Sequence, residues 1–214
     1  MKKLIALLLA LVLVMGLVAC GNTTAPETTP AATTEATEAT EELTEGTEEI
    51  LDTIPVAEPN AATTVYNAIW EKIPEDQRFW VMGGDYTAPV DGAPGNYAIE
   101  NDALATELYV PTEELSKVDA ISCLRHSMMA NNFLGAVYHI TNADDVAAFV
   151  EAMHTALGNV QWLCGMPEKL SITVIDGEYV FVAYGLSDVI TSFETAISAA
   201  YPGAENKYNE AIAG

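Results

Sequence analysis

The chain has 214 residues, half of them hydrophobic, with 31 acidic side chains against 8 basic ones and a formal charge of −23. That balance excludes a nucleic-acid partner, because phosphate binding needs a basic face, and it excludes docking on anionic lipid through side-chain charge. Three cysteines are too few for a disulfide framework, and the length fits one ordinary domain with a real core once the end segments are set aside.

Lys2 and Lys3 precede an almost unbroken apolar run from Leu4 to Val14, followed by Met15-Gly16-Leu17-Val18-Ala19-Cys20. The run is short for a membrane span and has the charge placement of a secretory signal, expected over residues 1–19. The ending Leu17-Val18-Ala19-Cys20, with Gly21 after it, resembles the lipobox of bacterial lipoproteins. The competing reading is an ordinary signal peptide or an N-terminal span with a chance cysteine. The resemblance implies that the Cys20 thiol carries a diacylglyceryl group and that cleavage makes Cys20 the first residue. Membrane lipid is then the first partner, and the domain lies outside the cytoplasm. Each buried methylene contributes about 0.8 kcal/mol, so two acyl chains anchor stably without a protein span. Loss of Lys2 and Lys3 leaves 6 basic against 31 acidic residues, a formal charge of −25.

Residues 20–59 follow as a tether. After Cys20 they hold ten acidic residues, no basic ones, eleven threonines, four prolines and no aromatic ring. Such a segment buries too little apolar surface to offset the entropy of ordering, and its like charges extend it. A flexible chain of this length spans roughly 30–40 Å.

The domain is expected over residues 60–203. Asn60 or Thr63 caps a helix carrying Val65, Tyr66, Ile69 and Trp70 at helical spacing, ending before Pro74. Arg78 to Met82 reads as a short strand, and Gly83-Gly84 opens a Gly/Pro-rich loop over residues 85–96. Asn101 or Asp102 begins a short helical piece with Leu104 and Leu108, stopped by Pro111, and Thr112 to Leu115 offers another turn. Ala120 to Met128 and Leu134 to Thr141 read as two strands, with Leu134, Ala136, Tyr138 and Ile140 on one face. Asn142 caps a helix whose apolar stripe is Val146, Phe149, Val150, Met153 and Leu157. It ends at Gly158 or continues towards Cys164.

Leu170 to Ile175 and Glu178 to Tyr184 flank Asp176-Gly177, a dipeptide suited to a type I′ hairpin turn. Ser187 caps the last helix, with Ile190, Phe193 and Ile197 on its buried stripe and Pro202-Gly203 ending it. Residues 204–214 read as a weakly structured tail. The order predicts an α+β fold: an antiparallel sheet of about four strands in ββαββα order, helices packed on one face, and a helix before them.

Several segments together are similar to a group of uncharacterised lipoproteins of Gram-positive anaerobes. They are Ala103 to Tyr109, the two strands, Ala143 to Phe149 and Asp176 to Val182, joined to the lipobox and the acidic tether. The resemblance spans about residues 65 to 200. Its motifs are structural, so it implies location and fold and brings no catalytic residues.

Candidate chemistry is sparse. Cys123-Leu124-Arg125-His126 has a ligand-like spacing, and Cys164, His139 and His154 add donors, yet they spread over two strands and a helix without a second paired motif. Core cysteines and surface histidines are the ordinary reading, so no metal site is assigned. Cys123 and Cys164 are a candidate disulfide; it would close a loop of about 40 residues and contribute about 3–4 kcal/mol in the chain-entropy account. No nucleophile signature surrounds either cysteine. Asp144/Asp145, Glu113/Glu114 and Glu75/Asp76 pair carboxylates at predicted helix starts, where capping explains them. Gly83-Gly84 lacks a phosphate-binding continuation, and no cofactor is expected.

Phe79, Trp80, Tyr86 and Tyr97 flank the Gly/Pro-rich loop, while Trp162 stands apart. Exposed rings there would stack on a sugar or peptide; in the competing reading Trp70 and Trp80 pack the first helix against the sheet. The expectation is therefore a tethered, non-catalytic binding or accessory module, its partner a protein, peptide or glycan. The alternative is an envelope hydrolase using a carboxylate pair or a Cys/His pair.

Overall fold

The computed structural model describes residues 57–100, 102–128, 132–162 and 165–212. Asn60 caps the first helix as the sequence predicts: its side chain accepts a hydrogen bond from the Thr63 amide at 2.8 Å, and α1 runs Ala61–Trp70. Arg78 closes the other end. Its Nε donates to the Ile73 carbonyl at 3.1 Å, and its guanidinium lies 5.2 Å from the Trp70 ring centroid. A cation at a helix C-terminus is favoured by the helix dipole.

Three short strands follow: β1 (Val81–Gly83), β2 (Val90–Asp91) and β3 (Gly95–Tyr97). A single helical turn, α2 (Leu104–Glu107), leads to the long hairpin β4 (Val118–His126) and β5 (Leu134–Ile140). Asn142 accepts from the Asp144 amide at 3.2 Å and caps the 3₁₀ turn that feeds α3 (Val146–Gly158). The second hairpin, β6 (Lys169–Ile175) and β7 (Tyr179–Gly185), turns at Asp176 and Gly177 with φ of 50° and 77°. Positive φ at both central positions is what a type I′ turn requires. Helix α4 (Ser187–Ala200) and strand β8 (Glu205–Ala211) complete the chain.

The fold is α+β with an antiparallel sheet, but the sheet has eight strands, not about four. Its order is β2-β1-β4-β5-β7-β6-β8, and β3 pairs with β4 along the edge that β1 also occupies. The central four strands and two helices keep the expected ββαββα order. The added strands are two or three residues long or strongly polar, so they carry little alternation to read.

Helices cover both faces, correcting the one-face expectation. Helix α3 packs on the face bearing Ala136, Tyr138 and Ile140, whereas α1 and α4 pack on the face bearing Val137, Phe181 and Ala183. The apolar residues between the expected core positions, Val137 and those of the continuous β6 and β7 runs, are the mark of strands buried on both sides.

Two further expectations are revised. In place of the weakly structured tail expected over residues 204–214, Glu205–Ala211 forms a strand paired with β6. An edge strand needs only backbone partners, and Tyr208 fastens this one by stacking on His154 with ring centroids 3.7 Å apart. Ser187 does not cap α4 through its side chain; its amide donates to Glu168 Oε2 at 2.9 Å. Bonds to Ser187 hold the Glu168 carboxyl below its usual range.

Tyr66 sits at the centre of the α1/α4 layer, edge-on to Phe181 and Phe193 with centroids 5.7 and 6.3 Å away. It is fully buried, and its hydroxyl has no hydrogen-bond partner among the described residues. The hydroxyl fits because position 135 is glycine: a Cβ there would lie 2.3 Å from Tyr66 Oη and 3.1 Å from the Phe133 ring. Gly135→Ala is therefore expected to destabilise the chain by about 1–3 kcal/mol through overpacking. Tyr66→Phe removes an unsatisfied buried hydroxyl and is expected to be neutral or to stabilise by about 1 kcal/mol. Combined with Gly135→Ala it should recover most of the loss, because the next Tyr66 atom is 3.4 Å from the added carbon. Urea unfolding of the two single variants and the double variant measures this coupling.

Candidate functional site

Strand β4 alternates its side chains between the two cores. Cys123 packs with the α3 layer and Leu124 with the α1/α4 layer. Arg125 therefore shares a face with Cys123, and its guanidinium is withdrawn from water, the residue being 8% exposed. Four contacts compensate the charge. Nη2 donates to the Gly84 carbonyl at 2.7 Å, and Nη1 lies 3.7 Å from both Cys123 Sγ and Glu107 Oε2. The Tyr86 ring covers the guanidinium, its centroid 3.9 Å from Cζ.

The loop carrying Tyr86 is organised by Asp85. This buried carboxylate accepts from the Thr87 amide, the Thr87 hydroxyl and the Ala88 amide at 2.9, 2.6 and 3.0 Å, and from the Ala98 amide at 3.2 Å. Burial pushes its carboxyl up, but these bonds outweigh burial and hold it below the usual range. Gly84, at φ 72°, makes the turn that aims its carbonyl at Arg125.

Glu107 ends α2 and also accepts from Tyr97 Oη at 2.8 Å. Two residues on, Tyr109 adopts φ 56°, the left-handed region that a non-glycine residue enters at a cost. This backbone puts its ring 5.9 Å from Trp162 and 6.2 Å from Tyr184, and the last two rings are 4.9 Å apart. The three rings form a continuous tilted wall. With Tyr86, Glu107 and Arg125 they line a cleft of about 360 Å³. Thr106 and Gln161 add uncharged polar groups to its lining.

The structure separates the aromatics that the sequence grouped. Tyr86 lines the cleft. Tyr97 is 2% exposed on β3 and acts behind the cleft by holding Glu107. Phe79 is half-buried and turns to the α1/α4 layer, edge-on to Trp70 and stacked on His126 with centroids 5.3 Å apart. Trp80 is 74% exposed and does not line the cleft, so of these two tryptophans only Trp70 packs α1 onto the sheet. The sequence gives no site role to Tyr109, Tyr184 or Glu107, names Arg125 only inside the Cys123–His126 spacing and leaves Trp162 without a partner. Trp162 stood isolated, and only the fold brings it beside residues 53 positions earlier and 22 later.

Cys20 and Cys164 lie outside the described residues. Cys123 carries a free, buried thiol. It faces away from His126, whose Nδ1 accepts from the Met128 amide at 3.0 Å. His139 pairs with Asp119 and His154 with Glu210, at 2.5 and 2.6 Å, on separate parts of the surface. Among the described residues no group of three or more His, Cys, Asp or Glu side chains is placed to hold a metal ion. The carboxylate pairs Glu75/Asp76, Glu113/Glu114 and Asp144/Asp145 occupy the first turns of 3₁₀ helices. No described helix is long and apolar enough to cross a membrane.

No protein-family model, curated protein or solved structure matches the chain.

The α3-side core holds ionisable groups that burial keeps neutral. Burial pushes the Cys123 thiol up to about 12, and it raises Tyr97, Tyr138 and Tyr184 as well, with the bond to Glu107 adding to the effect on Tyr97. A group whose pKa is raised on folding binds its proton more tightly in the folded chain. Its stabilising contribution is complete below the unfolded-state pKa and is lost as pH rises through the folded value. Stability is therefore expected to hold up to about pH 9 and fall steeply towards pH 12. Urea midpoints across that range, with tyrosinate absorbance, test it: ionisation of these tyrosines should coincide with unfolding. Iodoacetamide should leave Cys123 unmodified at pH 8 until the chain is unfolded.

Proposed function

We propose that the chain is a lipid-anchored, extracytoplasmic binding module, with Cys20 as the anchor, residues 20–59 as the tether and the α+β domain as the ligand-bearing part. The observation that carries the binding role is the aromatic cleft, where Tyr109, Trp162 and Tyr184 meet the Arg125–Glu107 pair. Concave sites that combine aromatic walls with a few fixed polar groups are the usual form of small-ligand sites. Strain at Tyr109 supports the same reading, because an unfavourable backbone placed at a cleft holds a ring there that an ordinary backbone would direct elsewhere.

The anchor and location rest on the sequence: the Leu17-Val18-Ala19-Cys20 ending, its resemblance to the lipobox, and the acidic Thr-rich tether. The lipoproteins of Gram-positive anaerobes remain the family this architecture suggests. A hydrolase in the same cleft would have to work with Glu107 as the single carboxylate among its described lining residues.

Cys20→Ala tests the anchor. The variant is expected to leave the membrane fraction and appear in the medium or the aqueous phase of a detergent partition. Retention equal to that of the unaltered chain would overturn the anchor. Trp162→Ala tests the cleft: envelope material captured by the released chain is expected to be lost when this ring is removed, while urea unfolding, lowered by about 2–3 kcal/mol for a half-buried ring, stays cooperative.

A further inference from the structure

The charges of the cleft narrow what it can take. Arg125 and Glu107 lie 3.7 Å apart, one cation and one anion, so the site is close to neutral. A cationic ligand meets the guanidinium, and an anionic one approaches a chain of formal charge −23. Of the other basic side chains only His126 lines the cleft, where its Nδ1 already accepts from the Met128 amide at 3.0 Å, and Lys72 is not among the lining residues. Lys117, Lys169 and Lys207 are paired with Glu114, Glu194 and Glu205 at 2.8, 2.9 and 2.5 Å, and Arg78 is spent on the end of α1.

Hydrogen-bonding capacity remains. The Arg125 Nε–H is buried and has no acceptor among the described residues. The Glu107 side chain, 22% exposed, presents acceptor oxygens beside it. A guanidinium donor next to a carboxylate acceptor suits a ligand that both accepts and donates at adjacent positions, as neighbouring hydroxyls do. The wall of Tyr109, Trp162 and Tyr184 suits an apolar face on the same ligand. At about 360 Å³ the cleft is at the small end of ordinary ligand sites, with room for about one or two sugar rings.

On these grounds, and resting on the binding-module reading above, we propose that the cleft binds an uncharged saccharide. The pyranose C–H face lies on the Trp162 wall, and neighbouring hydroxyls bridge Arg125 and Glu107.

The test uses the released Cys20→Ala chain, with tether and domain intact, and follows the Trp162 indole N–H signal by NMR. The probes are neutral trisaccharides of glucose, xylose and N-acetylglucosamine, a galacturonic acid trisaccharide, and free phenylalanine as a zwitterion. At least one neutral trisaccharide is expected to shift the signal saturably at micromolar to millimolar concentration. Tyr109→Ala and Glu107→Gln should each weaken that binding at least tenfold, whereas Trp80→Ala should leave it unchanged. Tyr109→Ala also guards against misfolding as an explanation, because its unfolding midpoint can be compared directly with that of the parent chain. Tighter binding of the uronate or of phenylalanine than of every neutral sugar overturns the saccharide class while leaving a binding cleft in place. No saturable shift with any neutral trisaccharide overturns it too, and capture of envelope material that still depends on Trp162 would then show that the module reading survives.

Discussion

A guanidinium withdrawn from water has to be compensated, and the compensation of Arg125 sets the geometry around the cleft. Its position on β4 is fixed by strand alternation, which directs Cys123 and Arg125 to one side and Leu124 and His126 to the other. The Gly84 carbonyl and the Tyr86 ring come from one loop and the Glu107 carboxylate from the end of α2, two segments each held by its own device. Asp85 fastens the Tyr86 loop, Tyr97 fastens Glu107, and the pairing of β1 and β3 with β4 brings all of them alongside. Removing one partner would leave a charge buried without its counterpart, a more costly change than removing an exposed ion pair.

The rest of the domain supplies the rigidity on which that arrangement rests. Helices on both faces bury most of the central strands, and Ile121, Val137 and Phe181 have no accessible surface. The two sides differ in chemistry. Around α1 and α4 the packing is aromatic, with Tyr66, Trp70, Phe133, Phe181 and Phe193 in mutual contact. Around α3 the core contains Tyr97, Tyr138, Tyr184 and Cys123, groups that stay neutral because burial disfavours their charged forms. The cleft opens from this second side, so its Tyr184 wall is continuous with the core and inherits its order.

How much of this could be read in advance follows from where the information lies. The helix caps at Asn60 and Asn142, the Asp176-Gly177 turn and the apolar stripe of α3 are local signals, and the structure bears them out. Strands β2 and β3 are too short for a periodic pattern, and β8, with the sequence ENKYNEA, has no apolar face. Their existence depends on an edge elsewhere in the chain. The second buried face was written in Val137 and in the unbroken apolar runs of β6 and β7, a pattern open to more than one reading before the helices are placed. The cleft was least accessible. Tyr86 was grouped with Phe79, Trp80 and Tyr97 by proximity in sequence, but strand alternation and loop geometry send these four rings to four different environments. Trp162 joins Tyr109 and Tyr184 through contacts that no local spacing records.

Charge is shared out unevenly along the chain. Residues 21–59 hold ten of the acidic residues and no cation, which leaves 21 acidic and 6 basic residues from position 60 onward. Just before α1 the chain is held by neutral contacts: Asn96 donates to the Glu58 carbonyl at 2.8 Å, its side-chain oxygen accepts from the Asn60 amide at 3.0 Å, and Asn60 donates to the Ile121 carbonyl on β4 at 3.0 Å. The strand that carries Arg125 thus also holds the N-cap of α1, through the side chain of Asn60.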